Sequence, residues 1–164
     1  MKNLKTLALI AFSVITFASC SKKDDAPAPA GSFTYDSQTY SLTNGYYFEN
    51  NGHGELGFIN ADFTSPSFDT SAKYTAVDFD FDFAEPPIGT YEYKIYSDAN
   101  YDKTKNFSYG DAFINIKISE SPIQVKSGTV ILSKSGSTYT VTFDVVMEND
   151  KPLKGSFTGP VTIL

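Results

Sequence analysis

The chain has 164 residues, with 13 basic residues, all lysine, set against 19 Asp and Glu, for a formal net charge of −6. An acidic chain without arginine is poorly matched to nucleic acid and to bidentate recognition of phosphate or carboxylate. A single cysteine excludes an internal disulfide, so a core rich in aromatics (15% of residues) must hold the fold by itself.

In chain order, Lys2 and Lys5 lead into an apolar run, Leu7 to Phe17, and then to the small residues Ala18 and Ser19 before Cys20. This is a charged n-region, an h-region and a small-residue cleavage site, so residues 1–19 read as a secretory signal peptide. Phe17-Ala18-Ser19-Cys20 resembles a bacterial lipobox, in which the cysteine becomes the lipidated N-terminus. The resemblance implies acylation of Cys20 and anchoring of the protein to the outer membrane through that lipid. Lys22-Lys23-Asp24-Asp25 resembles the charged export signal of surface lipoproteins of the Bacteroidota, which implies display on the cell exterior. Loss of Lys2 and Lys5 with the signal leaves 11 basic against 19 acidic residues, a net charge of −8. Ala26 to Gly31, APAPAG, is a proline-rich linker, so residues 20–31 form the lipidated cysteine and its spacer, about 30 Å long if extended.

From Ser32 to Leu164 the periodicity is two almost everywhere, with no convincing helical stretch. Phe33-Thr34-Tyr35 and Thr39 to Leu42 flank a turn and predict a hairpin. Tyr46 to Glu49 predicts a strand, Asn50 to Gly54 a turn, and Glu55 to Phe63 the partner strand. Thr64 to Ala72 reads as loop by composition. Tyr74 to Phe83 alternates most clearly, with Val77, Phe79, Phe81 and Phe83 on one face and Asp78, Asp80 and Asp82 on the other. Pro86-Pro87 stops it, and Thr90 to Tyr96 returns. Asp111 to Ser119 places Ala112, Ile114, Ile116 and Ile118 on one face. Thr129 to Lys134, Thr138 to Glu148 and Lys154 to Leu164 form a meander in which Phe157, Val161 and Ile163 share a face. About nine or ten short strands at regular spacing predict an all-β domain over 32–164, an antiparallel β-sandwich, with a lipocalin-like closed β-barrel as the alternative.

Three groups of residues carry candidate chemistry. His53 is the only histidine and stands in a turn; no Gly-x-Ser-x-Gly motif accompanies it, which argues against a Ser-His-Asp hydrolase. The row Asp78, Asp80, Asp82 reads as a solvated strand face balanced by lysines such as Lys73 or Lys94, the competing reading being a carboxylate pair for glycoside hydrolysis. Asp98, Asn100 and Asp102 place oxygen ligands as a calcium loop begins, although Lys103 stands where such a loop wants glycine and Tyr109 where it wants a bidentate glutamate. The same segment carries Tyr96, Tyr101, Asn106 and Tyr109, rings and amides mixed as on a sugar-binding surface.

The stretch 128–164 contains Ser135-Gly136-Ser137-Thr138-Tyr139-Thr140, an acidic turn, and Gly155-Ser156-Phe157-Thr158-Gly159. With the early Phe33 to Tyr40 hairpin, it resembles small uncharacterised surface lipoproteins of the Bacteroidota. The resemblance implies compartment and fold and carries no active site with it. Together these readings describe a lipid-anchored cell-surface protein, a non-enzymatic binding or accessory module for glycan or protein without a cofactor other than calcium. The alternatives are a structural surface component and a small barrel for an apolar ligand.

Overall fold

A computed structural model describes residues 30–164. The expected signal peptide, Cys20 and the expected charged spacer lie outside the described residues. Twelve strands and no helix make up the described chain. They are β1 (Gly31–Tyr35), β2 (Gln38–Leu42), β3 (Asn44–Asn50), β4 (His53–Ile59), β5 (Tyr74–Phe81), β6 (Gly89–Tyr93), β7 (Asn106–Phe107), β8 (Tyr109–Ile116), β9 (Ile123–Ser135), β10 (Thr138–Met147), β11 (Pro152–Gly159) and β12 (Val161–Ile163). Ten of them form one curled ladder in the order β12-β3-β4-β5-β8-β9-β10-β11-β1-β2, with β6 and β7 attached beside β9. The predicted all-β domain is present. Its sheet is continuous and open, a half-barrel, where two stacked sheets were expected and a closed barrel was the alternative.

The turns follow from local chemistry. Asp36 and Ser37 both take positive φ (51° and 65°), as do Asn51 and Gly52 (54° and 82°). Positive φ at both central positions matches the right-handed twist of the flanking strands. The first turn pairs Tyr35 with Gln38, and the second pairs Asn50 with His53. The curl is made at β9, which runs further than the expected Thr129 to Lys134. Its first residues pair with β8, and from Val125 onward it pairs with β10. Gly128, opposite Val145 near the start of the β10-paired region, takes φ 127°, where a Cβ would lie 2.4 Å from the Asp144 carbonyl oxygen. Only glycine allows that approach.

The core lies inside the curl. Val77, Phe79 and Phe81 of β5 are at most 1% exposed, so the expected inward face of that strand is correct. Tyr139, Val141, Phe143, Val145 and Met147 fill the inner face of β10. Rings from the two limbs meet directly: Phe58 of β4 stacks on Phe157 of β11 at 4.6 Å, and Phe79 lies 5.4 Å from Phe143. Ring pairs of this kind contribute roughly 0.5–1.5 kcal/mol beyond the area they bury.

Two expected faces are corrected. Phe157 is buried, but Val161 is half-buried and Ile163 exposed. The chain leaves β11 at Pro160 and crosses to the opposite limb, where β12 pairs in parallel with β3. In β8, Ala112 faces the core, but Ile118, in the turn after the strand, emerges on the other side with Phe113. Asn115 at φ 53° and the register shift between Tyr74 and Thr75 interrupt the alternation between them.

Candidate functional site

The face of β3, β4, β5 and β8 that turns away from the core is not a plain solvated surface. Register places Phe48, Glu55, Asp80 and Tyr109 in one cross-strand row, and Tyr46, Gly57, Asp78, Asp111 and Gln124 in the next. Four carboxylates therefore share one face, bordered by aromatic rings. The loop after β4 folds over this face instead of trailing into solvent. The Tyr46 hydroxyl donates to Asp62 Oδ1 at 3.0 Å and accepts from the Phe63 amide at 3.0 Å. Phe63 packs edge-on to Phe48 and against Phe68, which stacks on Tyr74 at 4.7 Å. Between loop and sheet lies a cavity of about 220 Å³, walled by Tyr46, Phe48, Phe63, Tyr74, Phe113 and Ile118, with Glu55, Gly57 and Asp78 also lining it.

Asp78 is the central polar group. It is 9% exposed. Its Oδ1 accepts the Asp111 amide at 3.1 Å, and its other oxygen has no hydrogen-bond partner among the described residues. Burial, then the charges of Glu55, Asp111 and Asp80, push its pKa well above the usual carboxylate range. Burial and Asp80 lift Asp111 to about 6, and one oxygen of that carboxylate is buried without a partner. Glu55, on the exposed rim, and Asp80 are also raised, each first by desolvation and then by a neighbouring carboxylate. The expected balance by lysine is therefore corrected. The five side-chain ion pairs among the described residues join Lys105 to Asp102, Lys126 to Asp150, Lys151 to Asp36, Lys154 to Asp144 and His53 to Asp82. None reaches Glu55, Asp78, Asp80 or Asp111, and Lys94 instead donates to the Asn100 carbonyl oxygen at 3.2 Å.

Asp82 stands apart from its row. Its Oδ1 lies 2.5 Å from His53 Nδ1, and its Oδ2 accepts the Tyr101 hydroxyl at 3.0 Å. This bridge ties the start of β4 to the loop between β6 and β7, and a shallow depression beside it is lined by His53, Glu55, Asp80, Asp82 and Ser108. Phe48 and Glu55 line both hollows, so the cavity and the depression adjoin.

The segment from Tyr96 to Tyr109 divides into three parts. Tyr96 and Tyr101 pair at 5.3 Å, with Tyr96 exposed. Asn106 is buried and acts as a latch: its Oδ1 accepts the Asp102 amide at 2.9 Å, and its Nδ2 donates to the Glu92 carbonyl oxygen at 3.1 Å. Tyr109 lies on β8, in the row with Asp80, and its hydroxyl accepts from Gln124. Asp98 Oδ1 accepts from the Asn100 amide, while Asp102 holds Thr104 and the Lys105 ammonium. No group of three or more His, Cys, Asp or Glu side chains among the described residues is placed to hold a metal ion.

Sequence reasoning missed the cavity because its lining comes from four strands and a loop read as featureless. The available signal was the match of spacings, Tyr46 and Phe48 two apart on β3, like Asp78 and Asp80 on β5. Comparison with protein-family models, curated proteins and solved structures gives no significant match.

Proposed function

We propose that this is a lipid-anchored surface protein, held at the outer membrane through Cys20, whose outer β3-β4-β5-β8 face is a non-enzymatic binding surface for glycan or protein. The observation that carries the binding reading is the cavity itself, with aromatic walls and uncompensated carboxylates. A sheet face serving only as a solvated exterior has no reason to bury Asp78 without a counter-charge, since an unpaired buried charge is costly. The adjoining depression, the exposed Tyr96 and the half-buried Tyr101 paired with it extend the surface available to a larger ligand. A sandwich-like description of the packing belongs to the same proposal, since rings from opposing limbs interdigitate across the core. The apolar-ligand barrel draws less support, because Phe58, Phe79, Phe143 and Phe157 occupy the interior. The structural-component reading would use the open edge of β2.

The test has two arms. Cys20→Ala should abolish incorporation of a palmitate analogue and leave the protein unprocessed or released; unchanged labelling ends the anchor reading. Glycan-array and surface-extract binding by the purified protein should fall on Phe48→Ala while thermal stability changes little. Equal binding by that variant would remove the outer face from the proposal.

A further inference from the structure

We infer that the cavity of the outer face accommodates a small organic ammonium ion, its charged head on Asp78 and its apolar substituents between the surrounding rings. The inference rests on reading this face as the binding surface and adds the chemistry of the ligand. Asp78 is nine-tenths buried, lines the cavity and has one carboxylate oxygen without a partner among the described residues. Asp111, opposite it in register, has a buried oxygen in the same condition. The electrostatic environment is acidic on every packed element: Glu55 on β4, Asp80 on β5 and Asp111 on β8, with no lysine paired to any of them. A ligand that completes such a site carries positive charge.

The walls decide which cation. Tyr46, Phe48, Phe63, Tyr74 and Phe113 present rings rather than oxygen ligands. A small hard metal ion requires six or more oxygens, whereas an alkylammonium gains from ring faces and from carboxylate together. The cavity of about 220 Å³ equals roughly seven water molecules of liquid volume at about 30 Å³ each, room for a head group and a stem of a few carbons. Gly57 keeps the floor open: a Cβ there would meet only the Asp78 Cβ, at 3.8 Å. An anion is repelled by the same four carboxylates, and a neutral apolar molecule leaves their charge unrelieved. A free small ammonium, rather than a lysine borne by a protein, fits a hollow roofed by the Phe63 and Phe68 loop.

Calorimetric titration of the full chain with n-pentylammonium, pentan-1-ol and pentanoate tests the proposal. Pentylammonium should bind at least tenfold more tightly than pentan-1-ol at pH 8, pentanoate should not bind, and pentylammonium affinity should fall at least fivefold at pH 5, below the value of about 6 to which Asp111 is lifted. Asp78→Asn should weaken pentylammonium binding at least tenfold in a protein that still melts cooperatively. Gly57→Val, which fills the hollow and leaves every carboxylate in place, should abolish it. Equal binding of amine and alcohol, or unchanged affinity in Asp78→Asn, overturns the inference, as does binding of a lysine-rich peptide without binding of the free amine. Failure of pentylammonium with Phe48-dependent glycan or protein capture intact overturns this inference alone; failure of both overturns the reading of the face.

Discussion

Asp78→Asn is expected to stabilise the protein by an amount that depends on pH. The carboxyl is buried, and the charged groups facing it are Glu55 from β4, Asp111 from β8 and Asp80 from its own strand. Its folded pKa therefore lies above its unfolded value. A carboxyl so shifted binds more protons in the native state, so its contribution is fully present below the unfolded pKa and is lost as pH rises through the folded value. Asp78 and Asp111 are directly opposed, a geometry that brings Cβ atoms to about 5 Å. Two unit charges at that distance repel by about 3 kcal/mol at an effective dielectric of about 20. Retaining the proton instead costs about 1.4 kcal/mol for each pH unit above an unfolded pKa of about 3.9, hence about 1.5 kcal/mol at pH 5 and about 3 kcal/mol at pH 6. The cost of keeping the proton therefore climbs from near zero at about pH 4 to about 3 kcal/mol at about pH 6, and it stops rising once pH passes the folded value that burial and the neighbouring carboxylates have raised. Asparagine keeps an acceptor for the Asp111 amide and carries no charge. Thermal unfolding of both proteins from about pH 4 to 8.5 should show a Tm difference that starts near zero and grows to about 10 °C. A constant difference across this range, or a variant less stable than wild type at the alkaline end, would refute the reasoning and show that Asp78 has a partner.

Three further outcomes follow from the packing. Phe58→Ala should cost about 3–5 kcal/mol in chemical denaturation, because the ring is fully buried between Phe157 and Phe143; a cost near zero would mean the two limbs do not share a core. Gly54→Ala places a Cβ 2.0 Å from the buried Tyr47 hydroxyl, which donates to the Phe83 carbonyl oxygen at 2.8 Å; a loss of about 1–3 kcal/mol is expected, partly relieved by adding Tyr47→Phe. Millimolar calcium should leave Tm unchanged, since Asp102 already holds Thr104 and Lys105; a calcium-dependent rise removed by Asp98→Ala would restore the calcium loop.

Hairpins were legible wherever the signal was local. Asp36-Ser37 and Asn51-Gly52 announce turns by their own conformational tolerance, and the alternation of β5 and β10 shows which side chains point together. The same reading failed at β8 and β9. Nothing within Asp111 to Ser119 reveals that Asn115 takes positive φ and sends Ile118 to the other face. Nor does the Ser121-Pro122 break reveal that β9 begins at once beyond it. Of the candidate residues, Tyr109 lies on the outer face beside Asp80, Tyr101 is held by Asp82, and Asn106 latches its own loop.

What the sequence by itself determined is the all-β character and the division of β5 into an apolar and an acidic side, because a two-residue period is a property of the strand alone. Whether the acidic side meets water is a different question. It depends on what lies across it, and that is decided by residues outside the strand: Tyr46 and Phe48 from β3, the loop that carries Phe63 and Phe68, and Asp111 from β8. Their convergence around Asp78 turns a row of aspartates into a buried, unpaired group in an aromatic hollow. Burial and charge coupling are properties of three-dimensional neighbours, so only the tertiary structure set them.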